Sequence, residues 1–365
     1  MIGYSHLKEG WRIFKRSINV RRHGWKKYPG SATEICQQIV KDCWNGKYFQ
    51  TSLGHFNEFY LRDLGISIEA LLHLGYEEEV HKTLEYVLHV FSTNKKICTT
   101  ITSSGKPLDV FKYAPDSLAF LLYSLRISKA NDLVEVYKPF LEAEAEKFAS
   151  EVIHRETGLI NLKSYSSMKD HSSRRSSCYD NCMAAMIKQE LASLRIKNPL
   201  AKYDYQQLIK LNFWHGTHFD DELYSNVVSG DANVFPYWCR VFSDVGMVMK
   251  SIKAIEEQEL DKPIPLKYTK SRAGGRKSSI AYLFAPNYEG NTIWLNIGLC
   301  YLDLLLLYDK AKLKIHLESI ARIIEKNHNF LEVLNQDCTP YKSLFYHADE
   351  GMIWAAKFLY LNDKL

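Results

Sequence analysis

The 365-residue chain has little that would mark a specialised environment. It holds eight cysteines, at 36, 43, 98, 178, 182, 239, 300 and 338, but no CxxC pair and no Cys/His spacing of a zinc site. This pattern excludes a disulfide framework and points to reduced thiols in a cytoplasmic protein. No N-x-[ST] glycosylation acceptor occurs, and the N-terminus lacks the unbroken apolar stretch of a secretory signal. The longest greasy run, Ile297 to Tyr308, has 12 residues and contains Asp303, against the ~20 apolar residues a membrane span needs. Charge is also unremarkable: 47 Lys and Arg against 42 Asp and Glu leave a net +5, which selects neither nucleic acid nor membrane as partner. The basic run Arg12, Lys15, Arg16, Arg21, Arg22, Lys26 and Lys27 reads as a solvated face of an N-terminal helical extension over about 1–30.

Sustained alternation of apolar and polar residues is scarce too, whereas three- and four-residue apolar spacing recurs throughout. The chain therefore reads as all-α. Ser31-Ala32-Thr33-Glu34 has the form of a capping box. Almost wholly apolar segments (Leu64 to Leu74, Ser117 to Leu125) alternate with amphipathic ones (Glu77 to Phe91, Leu133 to Val152), as inner and outer helices do. Further segments cover Asp180 to Leu194, Tyr205 to Trp214, Phe235 to Val241, Val245 to Glu257, Thr292 to Tyr308, Lys310 to Lys326 and Asp349 to Leu361. Together they amount to about a dozen helices in one domain spanning 1–365.

A polar or aromatic residue stands near the start of each inner helix: Asp63, Asp116, Asp180, Asp231, Trp294 and Asp349, separated by 53, 64, 51, 63 and 55 residues. That interval is a helical hairpin with its connections, so six hairpins would gather these groups at one mouth. Each Asp alone is an ordinary helix cap. Five in near register, with Trp294 in the sixth place and tyrosines close by, point to a ligand site.

Phe59-Tyr60-Leu61-Arg62-Asp63, Tyr113-Ala114-Pro115-Asp116, Cys178-Tyr179-Asp180-Asn181, Asp231-Ala232-Asn233, Tyr288-Glu289-Gly290-Asn291-Thr292-Ile293-Trp294 and Phe330-Leu331-Glu332 occur in this order. Over roughly residues 45 to 361 the series resembles the blocks of the six-hairpin glycosidases, nearest the branch of processing α-glucosidases and of mannosylglycerate and glucosylglycerate hydrolases. The resemblance implies an (α/α)6 toroid that cleaves a terminal α-linked glucosyl or mannosyl residue with inversion and without a metal or cofactor. It places the general acid at Asp180 and the base at Glu332. It also implies sugar binding by Arg62, Asp63, Tyr113, Asp116, Asn181, Asp231, Tyr288, Gly290, Asn291, Trp294, Tyr346 and His347.

Some blocks depart from the family pattern. Tyr179 and Cys178 stand where relatives carry Trp and Gly, the Thr-Gly pair after the base is missing, and Asp337 is a rival for Glu332. Tyr346-His347-Ala348 replaces an F-x-W-T block. Asp170 to Arg175 reads equally as a plain loop or as one that contributes Asp170, His171 or Arg175 to the rim, whereas Gly274 to Ser278 lacks phosphate-loop spacing, and Phe219-Asp220-Asp221-Glu222 has no second acidic cluster to hold Mg²⁺. Two other functions fit such a barrel: a sugar isomerase or epimerase, which needs paired pocket histidines, and a carbohydrate-binding barrel without chemistry. The partner expected in each case is a small carbohydrate.

Overall fold

The computed structural model describes residues 4–110, 112–170, 172–271, 276–277 and 285–365. Thirteen helices lie among them. α1 (Tyr4–His23) precedes twelve helices that alternate between an outer and an inner layer. The outer ones are α2 (Ala32–Cys43), α4 (Glu77–Thr93), α6 (Asn131–Glu151), α8 (Tyr205–Phe213), α10 (Val245–Glu257) and α12 (Lys310–Asn327). The inner ones are α3 (Leu61–His73), α5 (Pro115–Ile127), α7 (Cys178–Ser193), α9 (Gly230–Trp238), α11 (Leu295–Tyr308) and α13 (Ala355–Lys364). Each inner helix packs on the next, and α13 returns to α3, closing a ring of six. The result is an all-α toroid of six hairpins.

Composition explains the layering. Residues 115–125 of α5 are all buried, as are ten of the fourteen residues of α11, because inner helices are covered on every side. α2 buries only one stripe, Ala32, Ile35, Cys36, Ile39, Val40 and Cys43, and keeps the rest wet. Its capping box forms: Ser31 Oγ accepts the Glu34 N–H at 3.4 Å, and the Ser31 N–H donates to Glu34 Oε2 at 2.8 Å. All eight cysteines are free, seven of them buried. No helix among the described residues is long and apolar enough to cross a membrane.

Short strands cross the mouth. β1 (Phe59–Tyr60), β2 (Thr100–Ile101) and β3 (Pro107–Leu108) form one antiparallel sheet. β4 (Ser172–Ser173) pairs with β5 (Arg276–Lys277). β6 (Ile293–Trp294) pairs with β7 (Val333–Leu334) in the register Ile293 with Leu334 and Trp294 with Val333. This last pair sets Glu332, the residue before β7, beside the start of α11.

Three expectations need correction. The last inner helix begins at Ala355 rather than Asp349, since residues 349–354 are held in loop conformation by bonds to the first hairpin. α9 begins at Gly230, before its apolar run, because the Ser229 hydroxyl caps the Ala232 N–H at 3.4 Å. The N-terminal basic run is not simply a solvated face. Arg12 donates to the His55 carbonyl, to Asn57 Oδ1 at 2.7 Å and to Glu58 Oε1 at 2.8 Å; Arg16 pairs with Glu350; Arg21 donates to the Ser343 carbonyl. α1 is thereby strapped across the loops before α3 and α13.

Candidate active site

The ring carries α7 and α13 on opposite sides of the mouth, three helices apart in either direction. At the start of α7, Ser177 caps the helix. Its hydroxyl accepts the Asp180 N–H at 3.0 Å and donates to Asp180 Oδ2 at 2.7 Å, so one residue fixes both the helix start and the carboxyl. Asp180 Oδ1 is buried without a partner. Burial, with the Asp116 carboxylate, pushes the Asp180 pKa up to about 6 against the opposing pull of Arg174 and of the Ser177 and Ser167 hydroxyls.

Arg62 and Asp116 flank this carboxyl. Arg62 Nε donates to Asp116 Oδ2 at 2.7 Å, and the Tyr179 hydroxyl reaches the same oxygen at 2.8 Å, which gives Tyr179 a role the sequence did not disclose. Arg62 Nη2, Asp116 Oδ1, Arg174 Nη2 and Asp180 Oδ1 are all buried and unpartnered. Buried polar atoms cost about 1–3 kcal/mol each when unmade, so four orphaned donors and acceptors at one mouth describe a binding site for a hydroxyl-rich ligand. Asp63 lies alongside, accepting from Trp354 Nε1 at 2.8 Å, with its pKa raised to about 6 by burial.

Behind Asp180 sits an ion cluster that local sequence pattern does not reveal. Arg174 Nη1 lies 3.0 Å from Asp221 Oδ1 and 2.6 Å from Asp231 Oδ2; Lys169 Nζ lies 2.9 Å from Asp221 Oδ1 and 3.5 Å from Asp231 Oδ1. The Ser229 hydroxyl is 2.8 and 2.9 Å from the two carboxylates. All five residues are buried. Asp231 is consumed in this cluster, and so is Asp221 of the acidic loop; the paired cations hold the Asp221 pKa well below the usual carboxylate range despite burial.

Across the mouth, Glu332 is the hub of an aromatic cluster. Tyr288 donates to Oε1; Tyr346 donates to Oε2 at 2.6 Å and the Asp349 N–H at 3.1 Å. Burial, then the neighbouring Asp349 carboxylate, raises the Glu332 pKa to about 8 against these donors. Trp294 spans the two halves: its ring meets Tyr288 at 4.6 Å and Tyr268 at 5.8 Å, and its Nε1 is tied to the Tyr288 carbonyl at 2.7 Å. Tyr268 in turn lies under Lys169, 5.3 Å from Nζ to ring centroid.

Other expected residues take scaffold positions. The Asn181 amide bonds Ser176, the Ser177 carbonyl and the Ile160 N–H. The Tyr113 carbonyl accepts from the Ser166 N–H at 3.1 Å, and its ring meets Tyr165 at 6.4 Å. The Gly290 carbonyl accepts the Thr269 N–H at 3.1 Å. Asn291 bonds Asn287 and lines a surface cleft of about 360 Å³ with Asn335, Gln336 and Asp337. Asp337 itself is exposed and bound within its own turn to Thr339, which lowers its pKa. His347 packs on Trp25 at 5.5 Å, its Nδ1 lying 3.1 Å from the Ala348 carbonyl. His171 and Gly274-Gly275 lie outside the described residues. Among those described, no three His, Cys, Asp or Glu side chains converge as a metal site.

The six-hairpin ring defines a fold class, the (α/α)6 toroid. No family model and no curated protein sequence matches the chain. Among solved structures it is similar over 98% of both chains to a protein described as a glycosidase, with 13% identity and a TM-score of 0.66 for the wild type. A variant of a glycosidase in complex with glucose matches equally well, at 12% identity and 0.66. The GH63 mannosylglycerate hydrolase of Thermus thermophilus, in complex with Tris and D-glycerate, matches over 91% of this chain and all of its own, at 10% identity and 0.62.

Proposed function

We propose that the protein is a glycoside hydrolase that cleaves a terminal α-linked glucosyl or mannosyl residue from a short saccharide or glycoside with inversion. The observation that carries this reading is the contrast between two buried carboxyl groups belonging to opposite sides of the ring. Glu332 receives two hydroxyl donors and one N–H, a set that favours the ionised form required of a base. Asp180 leaves one oxygen free to meet a glycosidic oxygen, as an acid requires; burial raises both carboxyls, Asp180 to about 6 and Glu332 to about 8, so the contrast lies in their hydrogen-bond partners and not in their pKa values.

On this reading Asp180 protonates the leaving oxygen while Glu332 takes a proton from water attacking the opposite face. Arg62 offers its Nη2 donor and Asp116 its free acceptor to sugar hydroxyls, while Trp294 and Tyr288 give the ring an apolar wall. The partner is a small carbohydrate and the setting cytoplasmic.

The test is NMR detection of the first-released anomer from α-glucosides, α-mannosides, trehalose and glycosylglycerates. Wild-type protein is expected to release the inverted anomer, and folded Asp180→Asn and Glu332→Gln proteins to lose about 10²–10⁴-fold in kcat. Release of the retained anomer, or a fully active Glu332→Gln protein, would refute the assignment.

A further inference from the structure

The hydrogen bonds of Glu332 run through Tyr346 to His55, and an electrostatic contact from His55 to Asp349 leads back to Glu332. The Tyr346 hydroxyl lies 2.6 Å from Glu332 Oε2 and 3.0 Å from His55 Nε2; His55 Nδ1 lies 3.3 Å from Asp349 Oδ1; the Asp349 N–H returns to Glu332 Oε2 at 3.1 Å. All four residues are buried. The loop bearing His55 is wrapped tightly around the Asp349 carboxylate, which accepts the His55 N–H at 2.7 Å, the Phe56 N–H at 2.9 Å and the Ser52 hydroxyl. Any side chain at Gly54 would collide there, since its Cβ would overlap Asp349 Oδ1.

Proton counting restricts this circuit. Surrounded by donors, Asp349 is an acceptor, and its oxygen 3.3 Å away favours a proton on His55 Nδ1 electrostatically. Tyr346 has one hydroxyl proton and three neighbouring acceptors, Glu332 Oε2, His55 Nε2 and the Tyr288 hydroxyl at 3.0 Å. With the Tyr288 proton placed on Glu332 Oε1, two arrangements put a proton in both the Glu332–Tyr346 and the Tyr346–His55 contact. In the first, Glu332 is a carboxylic acid donating to the Tyr346 oxygen, and Tyr346 donates to Nε2 of a neutral imidazole. In the second, His55 is an imidazolium donating through Nε2 to Tyr346, and Tyr346 donates to the Glu332 carboxylate. They contain the same number of protons. One becomes the other when the Glu332 O–H bond breaks as Tyr346 gains that proton, and the Tyr346 O–H bond breaks as Nε2 gains the second.

We propose that His55, oriented by Asp349, is a positioning residue that ionises the base from within: through Tyr346 it takes up the proton that would otherwise neutralise Glu332, without exchange with solvent. This inference rests on reading Glu332 as the base. The groups facing the circuit divide by sign. Asp349 favours the imidazolium, whereas Arg12 and Arg16 on α1, with His347, oppose it; Glu332 meets Asp349, Tyr288 and Tyr346. Burial holds the His55 pKa down at about 4 and lifts Glu332 to about 8, so the ligand-free protein rests in the first arrangement.

The experiment pairs a spectroscopic readout with kinetics. In ¹⁵N NMR of histidine-labelled protein at neutral pH, His55 is expected to show Nδ1 protonated and Nε2 as hydrogen-bond acceptor; an Nε2–H tautomer with bare Nδ1 would overturn the proton arrangement whatever the enzyme's activity. In kinetics, His55→Gln retains an amide donor towards Tyr346 but cannot take up a proton. It is expected to lower kcat more than tenfold at pH 6, move the acidic limb up by at least about one pH unit, and leave KM within about twofold. Tyr346→Phe, which cuts the path without touching the loop, is expected to move the limb the same way. Rescue of wild-type kcat and limb by Gln would make His55 a structural hydrogen-bond partner and sink the relay. A fully active Glu332→Gln protein would instead overturn the base reading, and with it the relay's catalytic role.

Discussion

Arg174→Met tests whether the buried ion cluster sets both stability and the protonation of Asp180. The substitution keeps much of the side-chain volume but leaves Asp221 and Asp231 facing Lys169 alone, two carboxylates against one cation where Arg174 had held them at 3.0 and 2.6 Å. Removing one partner of a buried ion cluster costs roughly 3–5 kcal/mol. With about 2.1 cal/mol/K per residue of unfolding entropy over 365 residues, each kcal/mol shifts Tm by about 1.3 °C, so a fall of about 4–7 °C is expected in differential scanning calorimetry. The same change acts on Asp180. Arg174 is the largest influence opposing the burial that raises this pKa, so its loss raises the pKa above about 6. With Asp180 as the proposed acid, which must be protonated, activity then persists to higher pH and the basic limb of kcat/KM moves up in the mutant. A basic limb that stays put or moves down while Tm falls would refute the link between the cluster and Asp180.

Other expectations concern single residues. Lys357→Met removes the buried partner of Asp303, 2.6 Å away, and is expected to lower Tm by a similar 4–7 °C with kcat/KM within twofold; a selective loss of activity would contradict its placement in the core. Asp337→Asn alters an exposed turn carboxylate and is expected to leave the pH–rate profile unchanged, a shifted acidic limb being the adverse result. Asp63 has its folded pKa raised to about 6, above the ~3.9 of an unfolded chain. Folding therefore carries no penalty from it below about pH 4, and a penalty that grows as pH rises to about 6 and then levels off. Asp63→Asn, which keeps an oxygen for Trp354 Nε1, is expected to raise Tm relative to wild type at pH 8 but not at pH 3.5, and an equal shift at both would count against the argument.

Much of the scaffold was legible because its causes are local. The Ser31 capping box, the bounds Val245–Glu257 and the alternation of apolar with amphipathic helices follow from spacing alone. Asp63, Asp116, Asp180 and Asp231 do stand at second or third helical positions, because carboxylates suit the first turn of a helix. Asp349 broke the pattern: its carboxylate binds N–H groups of the first hairpin rather than those of a helix. Residues that work through distant partners left no periodic trace. Lys169 and Arg174 meet carboxylates 47 to 62 positions away, and His55 meets Tyr346 and Asp349 across 291 and 294. A single buried histidine in a loop offers no spacing from which such a partnership can be read. It emerges only when the ring closes.

That closure has a consequence for how the protein comes into being. The surroundings of Asp180, from Arg62 to Asp231, come from the first two thirds of the chain, but Glu332 and its partners come from the loop before the first inner helix (His55), the connection before α11 (Tyr288) and the last hairpin (Tyr346, Asp349). Trp354 reaches back to Asp63, the Ile353 N–H to the Thr51 carbonyl and the Leu53 N–H to the Glu350 carbonyl. Until α13 closes the ring, the Asp180 side of the mouth has no Glu332 cluster facing it. Because α13 contacts both α2 and α3, the clasp that finishes the hydrophobic ring also completes the Glu332 side of the mouth. Contacts of such long sequence separation form late, so the assembled mouth and resistance to unfolding are expected to appear together on refolding.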